Sequence, residues 1–208
     1  MGLIEGLTDK QIILYIKKNG GIEAVKKYIQ ETKDPEPLRC WREQDGIIYF
    51  SVTSNGMTGE QWVKEIKPDK NARHALLSED FKPTKDVTTK IAILKGELFD
   101  DDFRITHKIR LEANHLRMTE PSMEVACLIR KMFTNEEIEI MGLKWIVSMH
   151  EPVDGPDGYP GLLGTDGTEN GGPWLCMHYG RSDGPWISES GFAFAAPESH
   201  LSRVSFAS

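Results

Sequence analysis

The chain has 208 residues, 39% of them hydrophobic and 27% charged, with a formal net charge of −7 at pH 7, which suits one sizeable core with an amino-terminal appendage. No apolar run approaches the roughly 18 residues of a membrane span, and an acidic balance argues against phosphate-backbone binding as the main activity, since that contact depends on clustered Lys and Arg. The three cysteines, Cys40, Cys127 and Cys176, are odd in number, far apart and without a CxxC pair, so they read as reduced thiols rather than a disulfide framework or a structural zinc site.

The amino-terminal run MGLIEGLTDKQ lacks the basic stretch and apolar segment of a secretory signal, and the expected location is cytoplasmic, with surface display by another route left open. Thr8 to Glu31 reads as two short helices broken at Gly20-Gly21, with Ile12, Ile13, Ile16, Ile22, Val25 and Ile29 at helical spacing. Lys33 to Leu38 (KDPEPL), with two prolines and alternating charge, marks a boundary.

From Arg39 the pattern turns to strands. Asp45-Gly46 between β-favouring runs predicts a two-residue hairpin turn. Asn55-Gly56 leads into a short helix capped by Thr58 and Gln61, with Trp62, Val63 and Ile66 on its buried side. A second helix is expected over Asn71 to Leu77, and VTTKIAILKG after Pro83 reads as a strand. Asp100, Asp101 and Asp102 read as a solvated turn and helix cap, and Arg104, Lys108 and Arg110 as an exposed charged face. Ile105, Ile109, Ala113 and Leu116 predict one helix; Val125, Leu128, Ile129 and Met132 predict another starting near Pro121. A third, short helix has Thr134 as cap, Glu137 as its reciprocal partner and Gly142 as its stop. KWIVSM then reads as a strand.

The last third differs in composition. No lysine follows Lys144, and ten of the nineteen glycines lie between Gly155 and Gly191, interleaved with aromatic residues. Short apolar pieces (GLLG, PWLCMHYG, GFAFAA) alternate with Gly, Asp, Ser and Pro. Glycine-rich loops are costly to order, so they need anchors. Trp145, Trp174, Trp186, Gly191, Phe192 and Phe194 are the expected structural anchors, with indole N–H groups satisfying loop carbonyls where no regular sheet surrounds them. The residues between them, Thr165, Asp166, Thr168, Cys176, His178, Tyr179, Arg181, Asp183, Ile187 and Glu189, are the expected ligand contacts, with the mixed chemistry of an adaptable binding surface.

The segment GGPWLCMHYGRSDGPWISESGFAF resembles the end of a C-type-lectin-like fold, through Gly171, Gly172, Trp174, Trp186, Gly191, Phe192 and Phe194. It is most similar to the variable proteins of diversity-generating retroelements, over roughly Ile105 to Ala196. The resemblance implies an α+β protein with short antiparallel strands, two to three helices and long irregular loops at 101–208. Preceding it would be a helical segment at 1–38 and an α+β extension at 39–100 packing on the core. It implies a non-enzymatic protein presenting a variable face to a protein or other macromolecular ligand, with no cofactor and no metal. The paired disulfides and the calcium-loop elements of vertebrate-type lectins are absent from this sequence, which speaks against calcium-dependent sugar recognition.

Three alternatives compete. Cys176 and His178, two apart on a strand, share a face and suit a cysteine-dependent enzyme, with Asp183 orienting the imidazole. The amino-terminal helices suit an adaptor or inhibitor encoded by a mobile genetic element. His150, Glu151, Asp154 and Asp157 (HEPVDGPDG) suit either an oxygen-rich metal loop or an acidic solvated turn, but they lack the order of a helix-loop-helix calcium site.

Overall fold

In a computed structural model of the chain, the described residues are 39–166, 174–178 and 184–197, with Gly21. The two amino-terminal helices and the KDPEPL boundary lie outside them, apart from Gly21, whose φ is +89°. Two compact units divide the chain, Met1–Arg42 and Glu43–Ser208. At the end of the first, the Arg39 guanidinium lies 4.7 Å from the centroid of the Trp41 ring.

The hairpin forms as its sequence requires. Strands β1 (Arg42–Gln44) and β2 (Ile47–Asn55) are joined by Asp45 and Gly46, both left-handed at φ 54° and 75°, the backbone that matches the twist of two paired strands. Helix α1 (Gly59–Ile66) starts on the Thr58–Gln61 capping box, and Trp62 is its fully buried residue; Val63 and Ile66 are only half-buried. Helix α2 (Lys70–Leu76) starts one residue earlier than expected because Asp69 caps it, its carboxylate accepting from the Ala72 N–H. Strand β3 (Lys85–Lys95) follows.

Two short 3₁₀ turns, Gly96–Leu98 and Asp101–Phe103, lead to helix α3 (Thr106–His115). No aspartate caps α3: its N-cap is Ile105, in an extended conformation. Helix α4 (Glu124–Met132) begins three residues beyond Pro121 and is buried nearly all round, Glu124 and Arg130 included, rather than on a single stripe. Helix α5 (Asn135–Ile140) carries the reciprocal Thr134–Glu137 cap. It ends where Gly142, at φ 78°, donates to Glu139 O and Leu143 donates to Ile138 O, the paired bonds of a Schellman stop.

The fold is mixed α+β, with five α-helices among the described residues and one mostly antiparallel sheet. Its remaining strands are β4 (Trp145–Ser148), β5 (Val153–Asp154), β6 (Pro160–Asp166), β7 (Trp174–His178) and β8 (Ser190–Ala195). The order is β1-β2-β3-β8-β4-β6-β5, with β7 on β6. In the glycine-rich third the apolar pieces form strands, among the short strands that the resemblance implies for 101–208. β8 lies at the sheet centre, antiparallel to β3 and parallel to β4. Segment 39–100, expected as an α+β extension packing on the core, supplies strand β3, which pairs with β8.

Strand alternation divides the core between two faces. On one, Ala92, Leu94, Val147, Met149, Leu162, Phe192 and Phe194 cluster with Ile109 and Ala113 of α3. The other packs against α4, which contacts β2, β4, β6 and β7; there Phe133 meets Phe50 edge-on at 4.9 Å between centroids. Burying the Phe194 side chain, 2% exposed, contributes on the order of 2 kcal/mol. Strand β7 is covered on its outer side by the start of α2, where the Asp69 N–H donates to Leu175 O. Among the described residues no helix is long and apolar enough to cross a membrane.

A candidate ligand-binding face on strands β4, β6 and β7

The register brings the site together. Gly164 of β6 lies opposite Val147 of β4 and Cys176 of β7, Leu162 lies opposite His178, and Trp145 lies opposite Asp166. Alternate residues share a face, so Trp145, Gly164, Cys176 and His178 belong to the face whose other end α3 covers. Gly164 clears the ground for the imidazole: a Cβ there would lie 2.8 Å from His178 Cδ2 and 2.9 Å from Ile146 O.

The His178 ring sits between two indoles, 5.8 Å from Trp145 and 5.8 Å from Trp186. The row continues through Phe192, 5.6 Å from Trp186, to Phe99 at 6.3 Å, in the tilted and edge-to-face geometries that aromatic quadrupoles favour. Sγ of Cys176 is 3.3 Å from His178 Nε2 and 3.5 Å from Gly164 O.

The Trp145 and Trp186 indoles are tied down, by hydroxyls rather than the expected carbonyls. Trp145 Nε1–H donates to Ser190 Oγ at 2.9 Å, and Trp186 Nε1–H to Thr106 Oγ1 at 3.1 Å. Trp186 is held further by Arg104, one of the three residues expected on an exposed charged face. Arg104 is buried, and its guanidinium donates to the carbonyls of Gly96, Phe99 and Trp186 while pairing with Asp101 at 2.8 Å. The Trp186 N–H returns a bond to Arg104 O at 2.7 Å. The one local signal was Asp101 three residues earlier; the burial depends on the distant Trp186 segment. Arg110 is likewise engaged, with Glu120 and with His150 O.

The predicted contacts are distributed unevenly. Cys176 and His178 are half-buried on the face, and Ile187 is 36% exposed beside Trp186. Glu189 accepts from Ser188 Oγ and pairs with Lys144, and that hydroxyl and then the ammonium hold its carboxyl below the usual range. Thr165 is a correction. It is 0% exposed, and its Oγ1 accepts from the Ile146 N–H at 3.1 Å. Neighbours along a strand point to opposite faces, so Thr165 turns inward while Gly164 faces the site. Asp166 and Trp174 are placed by backbone pairing with each other, their side chains lying outside the described part. Thr168, Tyr179, Arg181 and Asp183 fall outside the described residues. Of the anchors, Gly191, Phe192 and Phe194 are buried in β8.

The HEPVDGPDG stretch forms no cluster. His150 is 2% exposed, with Nδ1 on Glu151 O at 2.6 Å and Nε2 accepting from the Leu163 N–H at 2.9 Å, and Asp154 and Asp157 are exposed. Among the described residues no group of three His, Cys, Asp or Glu is placed to hold a metal ion. In comparisons with known proteins, no protein-family model, no curated protein and no solved structure matches the chain.

Proposed function

We propose that the protein is a non-enzymatic binding protein that presents a variable face on a C-type-lectin-like scaffold, in the manner of the variable proteins of diversity-generating retroelements. The observation that carries this reading is the division of labour on the β4-β6-β7 face. Trp145 and Trp186 spend their N–H groups inside the protein, while Cys176, His178 and Ile187 keep part of their surface toward solvent. A scaffold stabilised from behind tolerates exchange of what it displays, because surface substitutions away from packing features usually change stability by less than about 0.5 kcal/mol. The contact set is Asp166, Thr168, Cys176, His178, Tyr179, Arg181, Asp183, Ile187 and Glu189, and the ligand is a protein or another macromolecule.

Two measurements test this. Exchanging Ile187, Glu189, Arg181 and Asp183 together leaves the thermal midpoint within a few degrees, whereas Trp186→Ala lowers stability by about 3 kcal/mol, the low end for an aromatic truncation because the ring is half-buried. Sequencing the adjoining DNA is expected to find a reverse transcriptase gene and a near-copy of the last coding stretch differing at adenines. Display residues that prove more stabilising than Trp186 would overturn the assignment of roles, and an adjoining region without the near-copy would overturn the retroelement reading.

A further inference from the structure

We infer that Cys176 is a reactive thiol, open to modification by soft electrophiles such as low-molecular-weight disulfides, with His178 as the base that takes its proton. Three independent features of the fold assemble the pair. Strand period 2 sets Cys176 and His178 on one face, and the sulfur lies 3.3 Å from Nε2. The ring cannot wander, because Trp145 and Trp186 flank it and it lies over Gly164, where a Cβ would meet it at 2.8 Å. The thiol is half-buried rather than sealed. A base held at contact distance removes the orientational cost of proton transfer, and an adjacent imidazolium stabilises the thiolate, which is the nucleophile.

The exchange balances without a further reagent. The Sγ proton passes to His178 Nε2, and the sulfur forms a bond to one sulfur of the incoming disulfide as the original S–S bond breaks. The departing sulfur leaves as a thiolate and takes up the proton from the imidazolium. Cys176 is oxidised to a mixed disulfide and the departing half is reduced to a thiol. The other cysteines supply internal standards. Cys127 is 0% exposed and burial pushes its thiol well up, Glu124 adding to the effect, so it reacts only when the protein unfolds. Cys40 is likewise half-buried.

The test is labelling of the full chain with an aromatic disulfide from pH 5 to 9, each site followed by peptide mass spectrometry. The expected result is that Cys176 reacts on the order of 10-fold faster than Cys40 at pH 6, with a midpoint at least a unit below the roughly 8.5 of an ordinary thiol. His178→Gln returns the midpoint toward that ordinary value. A wild-type midpoint at or above about 8.5, first labelling of Cys40, or an unchanged midpoint in a folded His178→Gln overturns the inference. Labelling of Cys127 reports unfolding in the same sample; where the variant exposes it, the wild-type curve alone decides. This chemistry is separate from the binding role, since a protein that bound nothing would still show the reactive thiol.

Discussion

Acidification probes the join between β4 and β6. His150, 2% exposed, donates from Nδ1 to Glu151 O and accepts at Nε2 from the Leu163 N–H, so the folded protein selects the neutral imidazole. A proton on Nε2 would set donor against donor, beside the Arg110 guanidinium, which binds His150 O and pairs with Glu120. Burial, with Arg110 adding to it and the Glu151 carbonyl opposing, moves the pKa from 6.5 down to about 4. The folded state thus resists a proton that the unfolded chain accepts. This contribution is fully present above pH 6.5 and declines as pH falls, by about 2 kcal/mol at pH 5 and about 3 kcal/mol at pH 4. Denaturant unfolding of wild type and His150→Gln at pH 7, 6 and 5 measures it, because the Gln carboxamide offers a donor and an acceptor without titrating. Carboxylate titration is common to both proteins and cancels in the difference. The wild-type advantage is expected to shrink by about 2 kcal/mol between pH 7 and 5; an advantage constant with pH refutes the reasoning.

Further substitutions test the other assignments. Thr165→Val keeps the shape but strips the Ile146 N–H of its acceptor, costing about 1–3 kcal/mol in chemical unfolding; a neutral result would mean that Thr165 is not an interior residue. Gly164→Ala drives a Cβ into His178 and Ile146 O, with a loss of about 1–3 kcal/mol and altered tryptophan emission as the ring leaves its neighbours. Unchanged emission and stability would remove Gly164 from the site. Arg104→Lys loses about 3 kcal/mol, since a single ammonium cannot serve the carbonyls of Gly96, Phe99 and Trp186 together; stability equal to wild type would show that those carbonyls do not need the fork.

Elements governed by a few neighbouring residues were legible directly. The Asp45-Gly46 turn, the caps at Thr58 and Thr134 and the stop at Gly142 all formed where expected, because each is settled by backbone angles and bonds spanning three to five residues. The shared face of Cys176 and His178 was legible for the same reason. Their 3.3 Å approach needed Gly164, which is distant in sequence and becomes a neighbour only through strand pairing.

What local pattern did not settle was where each piece would be buried. GFAFAA read as a short apolar piece with no indication of its neighbours; its strand sits between β3 and β4, partners some hundred and some forty-five residues earlier in the chain. Thr165 and Arg104 carry polar groups that suit a surface by composition. Tertiary pairing supplied an interior N–H for one and three interior carbonyls for the other, and a buried polar group is tolerated where such partners exist. The sequence alone determined the turns, the caps and the strand periodicity of this protein, because those energies are local. The tertiary structure decided which face of each strand meets solvent, because that depends on contacts between segments no short window contains.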